Sequence, residues 1–151
     1  MRTNWQRCLY GLCILLMTFI FSLAGLSKLL EPDALVQAVR PVPLFYRIDT
    51  DALRNLTLLL GAVEIILSVG MLFAQTRFCA TVNLLALLAL FIAFLLYVVV
   101  SGLPARCSCF SLLLERQINW WSALEDVGIA LCGAYILRYE RMRQLEATQK
   151  A

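Results

Sequence analysis

Charged residues leave two long gaps in this chain: none falls between Cys8 and Ser27, and none between Phe78 and Ala105. Each gap is long enough for the ~20 apolar residues that cross a hydrocarbon layer about 30 Å thick. Two further apolar segments reach similar length with acids inside them, Leu56 to Ala74 around Glu64 and Ile118 to Leu137 around Glu125 and Asp126. Backbone N–H and C=O groups in lipid must find partners within the protein, so such segments are helices. The pattern predicts an all-α membrane bundle of four transmembrane helices, over about 8–30, 54–74, 78–102 and 118–138, as a single domain.

The connections differ in kind. Gln75-Thr76-Arg77 predicts a tight turn and an antiparallel pair from the second and third spans. The segment from Leu29 to Asp51 holds Pro32, Pro41 and Pro43, and the residue before each proline is pushed out of helical geometry. Within it, Asp33 is expected to cap a short surface helix over Ala34–Val39. Beyond Pro104 come Cys107-Ser108-Cys109-Phe110, an apolar stretch to Leu114, and Trp120 and Trp121, which suit the headgroup level where the last helix enters the bilayer. Arg2 and Arg7 ahead of the first apolar run resemble the start of a signal peptide, but the run exceeds the 7–15 residues of a secretory h-region and reads as a retained span.

Composition agrees with the pattern. Of 151 residues 62% are hydrophobic and 15% charged, against about 45–50% and 25% in soluble domains. The net charge of +3 reads as topology and headgroup contact, and no nucleic-acid surface is expected. Four spans put both termini on one side with Arg2, Arg7, Arg77, Arg138, Arg141, Arg143 and Lys150. The other side carries Lys28, Arg40, Arg47, Arg54, Arg106 and Arg116, diluted by five acids. The dense Arg138–Arg143 cluster favours cytoplasmic termini in a bacterial inner membrane.

The absence of histidine removes the commonest general base and metal ligand. Thiols and intramembrane carboxyl groups remain. Cys8, Cys13, Cys79 and Cys132 lie in apolar surroundings, where cysteine behaves as a small hydrophobe; Cys13 and Cys132 would share a depth if the first and fourth helices were neighbours. Cys107 and Cys109 share a loop with Arg106 and Arg116, whose charge favours the reactive thiolate. Their spacing permits a small, strained disulfide of the easily reduced kind. It equally permits a loop staple, and two sulfurs are a thin set for a soft metal such as Cu(I). No metal site is assigned.

Glu64 stands mid-span at a cost of about 2.5–3.5 kcal/mol on insertion scales, with Gly61 and Ser68 on its face. It reads either as a proton carrier or as an interhelical hydrogen bond. Lys28, Glu125 and Asp126 are expected to meet in the outer leaflet below the cysteine loop, since a buried carboxylate demands a partner.

Taken together, Gly25-Leu26-Ser27-Lys28-Leu29 leading to Pro32, Glu64 within Gly-Ala-Val-Glu-Ile, and Cys-Ser-Cys-Phe after the third helix resemble the MauE group of DoxX-like membrane proteins. The likeness runs in order from Gly25 to Leu137. It implies a four-helix membrane protein that acts with a thioredoxin-like partner in maturing a disulfide-rich client, as the name-giving member does for methylamine dehydrogenase. By the same resemblance Cys107 and Cys109 would be the redox pair, and Lys28 and Glu64 the intramembrane polar positions. Ser111 stands where the family commonly has glycine, which alters the angles open to that turn. Arg106, Glu125 and Asp126 complete the candidate polar partners. A quinone is conceivable as the electron acceptor, and no residue pattern marks a site for it. Two other classes stay open: a non-enzymatic membrane scaffold, and soft-metal or small-solute transport.

Overall fold

The first apolar run forms α1, Asn4–Leu30, and its end coincides with the chain's first proline, whose ring cannot continue a helix from within. A computed structural model describes residues 4–40, 42–43, 45–101, 106–107, 116–117 and 120–148. After α1 come α2 (Pro32–Val39), α3 (Thr50–Gly70), α4 (Arg77–Val100) and α5 (Trp120–Thr148). Between α4 and α5 two short strands, β1 (Arg106–Cys107) and β2 (Arg116–Gln117), pair antiparallel, with Arg106 opposite Gln117 and Cys107 opposite Arg116. Among the described residues the regular structure is helical apart from this ladder.

Among the described residues, α1, α3 and α4 are the helices long and apolar enough to cross a membrane. The segment predicted as a fourth span, about 118–138, falls largely within α5, which is not among them. That helix carries Glu125 and Asp126 near its start and Arg138, Glu140, Arg141 and Arg143 in its second half. Outward positions on the three apolar helices are themselves apolar: Leu15, Phe19, Leu59, Ile66 and Leu90 are all exposed. Such a belt requires lipid around it, and the protein is an integral membrane protein.

The helix α2 begins earlier than its sequence suggested. Glu31 holds the cap position without a side-chain bond, Pro32 takes the first turn, and Asp33 sits inside the helix rather than capping it. Proline is well suited there, since the missing N–H would lack a helical partner anyway. Asp33 still complements the positive helix end, and lies 3.7 Å from exposed Arg54.

Packing is closest between α1 and α3. A Cβ on Gly25 would lie 2.7 Å from the carbonyl oxygen of Gly61, and one on Gly61 would lie 2.8 Å from that of Gly25. The two backbones therefore touch, which only paired small residues allow. Away from this crossing, α5 packs on α1 and α4, and α2 lies across α1 and α3. The main core gathers Met17, Met71, Leu84 and Ile136, all fully buried, with Cys13, Ile14, Phe21 and Leu88.

Candidate functional site

The crossing of α1 and α3 arranges a seam of polar side chains. Ser22, Gly25 and Lys28 recur every three residues on α1, and Thr57, Gly61, Glu64 and Ser68 at helical spacing on α3. At one level Ser22 Oγ and Ser68 Oγ are 2.9 Å apart. At the next the glycines touch. One turn further, Lys28 Nζ donates to both carboxylate oxygens of Glu64, at 2.7 Å and 2.9 Å, and to the Ala24 carbonyl at 3.3 Å. Lys28 is 6% exposed and Glu64 7%. Either charge alone would be costly in an apolar bundle; together, with the remaining ammonium proton also bonded, they satisfy one another.

Glu64 is thus the partner of Lys28, a position expected for Glu125 and Asp126. Asp126 nonetheless comes close: it lines a small cavity of about 60 Å³ with Lys28 and Glu64, among Ile20, Phe21, Leu88 and Ile129. Glu125, beside it in sequence, is exposed. Bordering the same ion pair, a larger cavity of about 320 Å³ runs between α3 and α4 under α2. Its walls are apolar, from Leu35 and Val39 of α2 through Phe45, Leu53 and Leu60 to Phe91 and Phe94, with Lys28, Glu64 and Thr57 as its polar members. Thr57 spends its hydroxyl proton on the Leu53 carbonyl. Lys28 and Glu64 therefore stand where two cavities meet.

The thiols divide. The Cys13 and Cys132 side chains lie within hydrogen-bonding reach of each other across α1 and α5, while Cys8 and Cys79 are exposed. Cys107 and Arg106 are described by their backbone, in a strand that rests against α2. Cys109, Ser111 and the stretch to Leu114 lie outside the described residues, as do the side chains of Trp120 and Trp121. Among the described residues no group of histidine, cysteine and acidic side chains gathers as a metal would require.

A second buried polar cluster was not anticipated. Tyr10 donates to Glu140, and Arg77 donates to the Tyr10 oxygen at 2.8 Å and to Glu140 at 3.4 Å. Arg77 also binds the carbonyls of Met71 and Leu72, closing the turn between α3 and α4. The Tyr10 ring stacks on Tyr139 with centroids 4.1 Å apart. The one available signal was Glu140 itself, a lone acid among Arg138, Arg141 and Arg143.

No curated protein and no solved structure shows significant similarity to the chain. A family model does match, that of methylamine utilisation protein MauE, and it spans residues 6–138. Its limits enclose the α1–α3 seam, both cavities, the cysteine loop and Asp126, and by this match the chain belongs to the MauE family.

Proposed function

We propose that this MauE-family membrane protein carries out thiol–disulfide exchange through Cys107 and Cys109, on behalf of an extracytoplasmic client matured with a thioredoxin-like partner. In this reading α5 is the fourth span, both termini are cytoplasmic in a bacterial inner membrane, and the cysteine loop faces outward. The observation that carries it is the setting of Cys107: its strand lies against α2, and its backbone pairs with Arg116. Arg106 adjoins Cys107 in the sequence, and positive neighbours favour the thiolate. A client thiolate attacks one sulfur of the Cys107–Cys109 disulfide and forms a mixed disulfide. The client's second thiolate then displaces that sulfur, leaving the client oxidised by two electrons and both cysteines reduced.

The test is trapping on intact cells. A membrane-impermeant maleimide should label Cys107 and Cys109 only after mild reduction, and Cys107→Ser or Cys109→Ser should accumulate or abolish a mixed disulfide on non-reducing gels. Free labelling without reductant would remove the resting disulfide. Labelling confined to permeabilised cells would invert the topology and end the extracytoplasmic role.

A scaffold reading draws on the second polar cluster, where Tyr10, Arg77 and Glu140 join three helices with no cysteine involved. It predicts that both serine variants leave client assembly intact.

A further inference from the structure

The larger cavity has features that lipid-facing grooves lack. Leu56 and Leu90 at its edge are exposed, so it opens sideways toward lipid, whereas Leu53 within it is 3% exposed. Its volume of about 320 Å³ falls in the range of roughly 300–1,000 Å³ typical of small-molecule sites. Three phenylalanines, Phe45, Phe91 and Phe94, line it. Phe45 and Phe94 meet edge to face at 6.2 Å, giving a wall against which a flat ring can pack. At the inner end is the Lys28–Glu64 pair. An acyl chain has nothing to offer an ammonium group, and a phospholipid headgroup would have to shed its water to reach it. A neutral ring bearing carbonyl oxygens fits both the walls and the cation.

We propose that this cavity holds the ring of a membrane quinone, with its tail leaving between Leu56 and Leu90. One ring carbonyl accepts from Lys28, replacing the longest of the three ammonium bonds, the 3.3 Å contact to Ala24, while both bonds to Glu64 persist. The thiol-exchange reading supplies a use for the site, and this assignment rests on that reading for its role, though not for binding. The Cys107 strand lies on α2, and Leu35 and Val39 of α2 form part of the cavity wall. The Cys107–Cys109 dithiol, once reduced by a client, gives two electrons to the quinone. A sulfur–sulfur bond forms, the thiols release two protons, and the ring takes up two protons to become a quinol.

Photolabelling of the full-length protein in lipid nanodiscs with an azido-quinone tests the assignment. Label should map to α3 and α4 around Leu60 and Phe94, and a short-chain quinone should displace it where excess phospholipid does not. Leu60→Trp, which fills the cavity, should cut labelling about tenfold, equivalent to about 1.4 kcal/mol of binding. Leu59→Trp, on the exposed face of the same helix, should leave it unchanged and controls for folding. Label scattered over the apolar belt, displacement by phospholipid, or indifference to Leu60→Trp would overturn the proposal. The same labelling on Cys107→Ser/Cys109→Ser separates the two readings. Binding there without thiol trapping in the parent protein leaves the site standing and removes the redox role; trapping without site-specific label does the reverse.

Discussion

Two buried polar groups sit toward opposite ends of α1, and they are built differently. Around Tyr10, Arg77 and Glu140 the charges are closed in: the arginine is spent on two side chains and two carbonyls of the turn, and Tyr139 covers the tyrosine ring. Around Lys28 and Glu64 the pairing is equally complete, yet two cavities border the pair. A closed cluster fixes how helices meet. A pair that borders empty space can also meet a ligand, and that difference, rather than burial or charge, is the ground for proposing a site at the second region.

Removing one partner of the site pair should have the largest effect. Glu64→Leu leaves the Lys28 ammonium buried without its counter-ion, at an expected cost of about 3–5 kcal/mol. The unfolding midpoint in a denaturing-detergent titration reads this. Lys28→Met/Glu64→Leu, which replaces both charges with apolar groups, should recover most of the loss. If the double variant were as unstable as the single, the pair would be a structural pin like the other cluster, and the contrast would break.

Gly61→Ala comes next. The new methyl would sit 2.8 Å from the Gly25 carbonyl and 3.1 Å from Lys28 Cβ. A helix backbone cannot swing aside as a side chain can, so the seam must open, at about 1–3 kcal/mol. The same opening would displace Glu64, and quinone labelling should fall with stability. Tyr10→Phe, in the closed cluster, removes one hydrogen-bonding hydroxyl and should cost about 0.5–1.5 kcal/mol, leaving labelling and thiol trapping unchanged. Loss of either would show that the two regions are coupled.

Much of this architecture is legible in the sequence, for identifiable reasons. Uncharged runs announce α1 and α4 because lipid tolerates little else. Glu64 stands out because it interrupts such a run, and Gly61 and Ser68 share its face by helical period alone. Which helix lies against that face is a different kind of information. Lys28 was expected to meet Glu125 and Asp126, since all three were expected near one membrane surface, but Gly25 and Gly61 bring α1 against α3 and settle the pairing for Glu64. Tyr10 and Glu140 are separated by 130 positions, and no periodicity links them. The expected neighbourhood of Cys13 and Cys132 did emerge, because it followed from α1 and α5 packing side by side.

Asp126 offers the finest discrimination between the two regions. It shares the small cavity with Lys28 and Glu64 but makes no ion pair with Lys28 among the described contacts. A cavity of about 60 Å³, mostly apolar but with Lys28, Glu64 and Asp126 in its lining, is roomy enough for water, which needs roughly 10–15 Å³ per molecule by the same measure. Water there would connect the Asp126 carboxyl to Glu64 and so to a ring oxygen in the larger cavity. Asp126→Asn keeps the shape and the hydrogen-bonding capacity while removing the transferable proton. Stability should move by no more than about 0.5 kcal/mol, and azido-quinone labelling should persist. Reoxidation of the Cys107–Cys109 dithiol by added quinone, followed by stopped-flow thiol trapping, should slow by about 100-fold, the lower end for a lost general acid. Unaltered reoxidation would confine proton delivery to another route and reduce Asp126 to a wall of the cavity, making this side of the ion pair as closed in function as the cluster around Arg77.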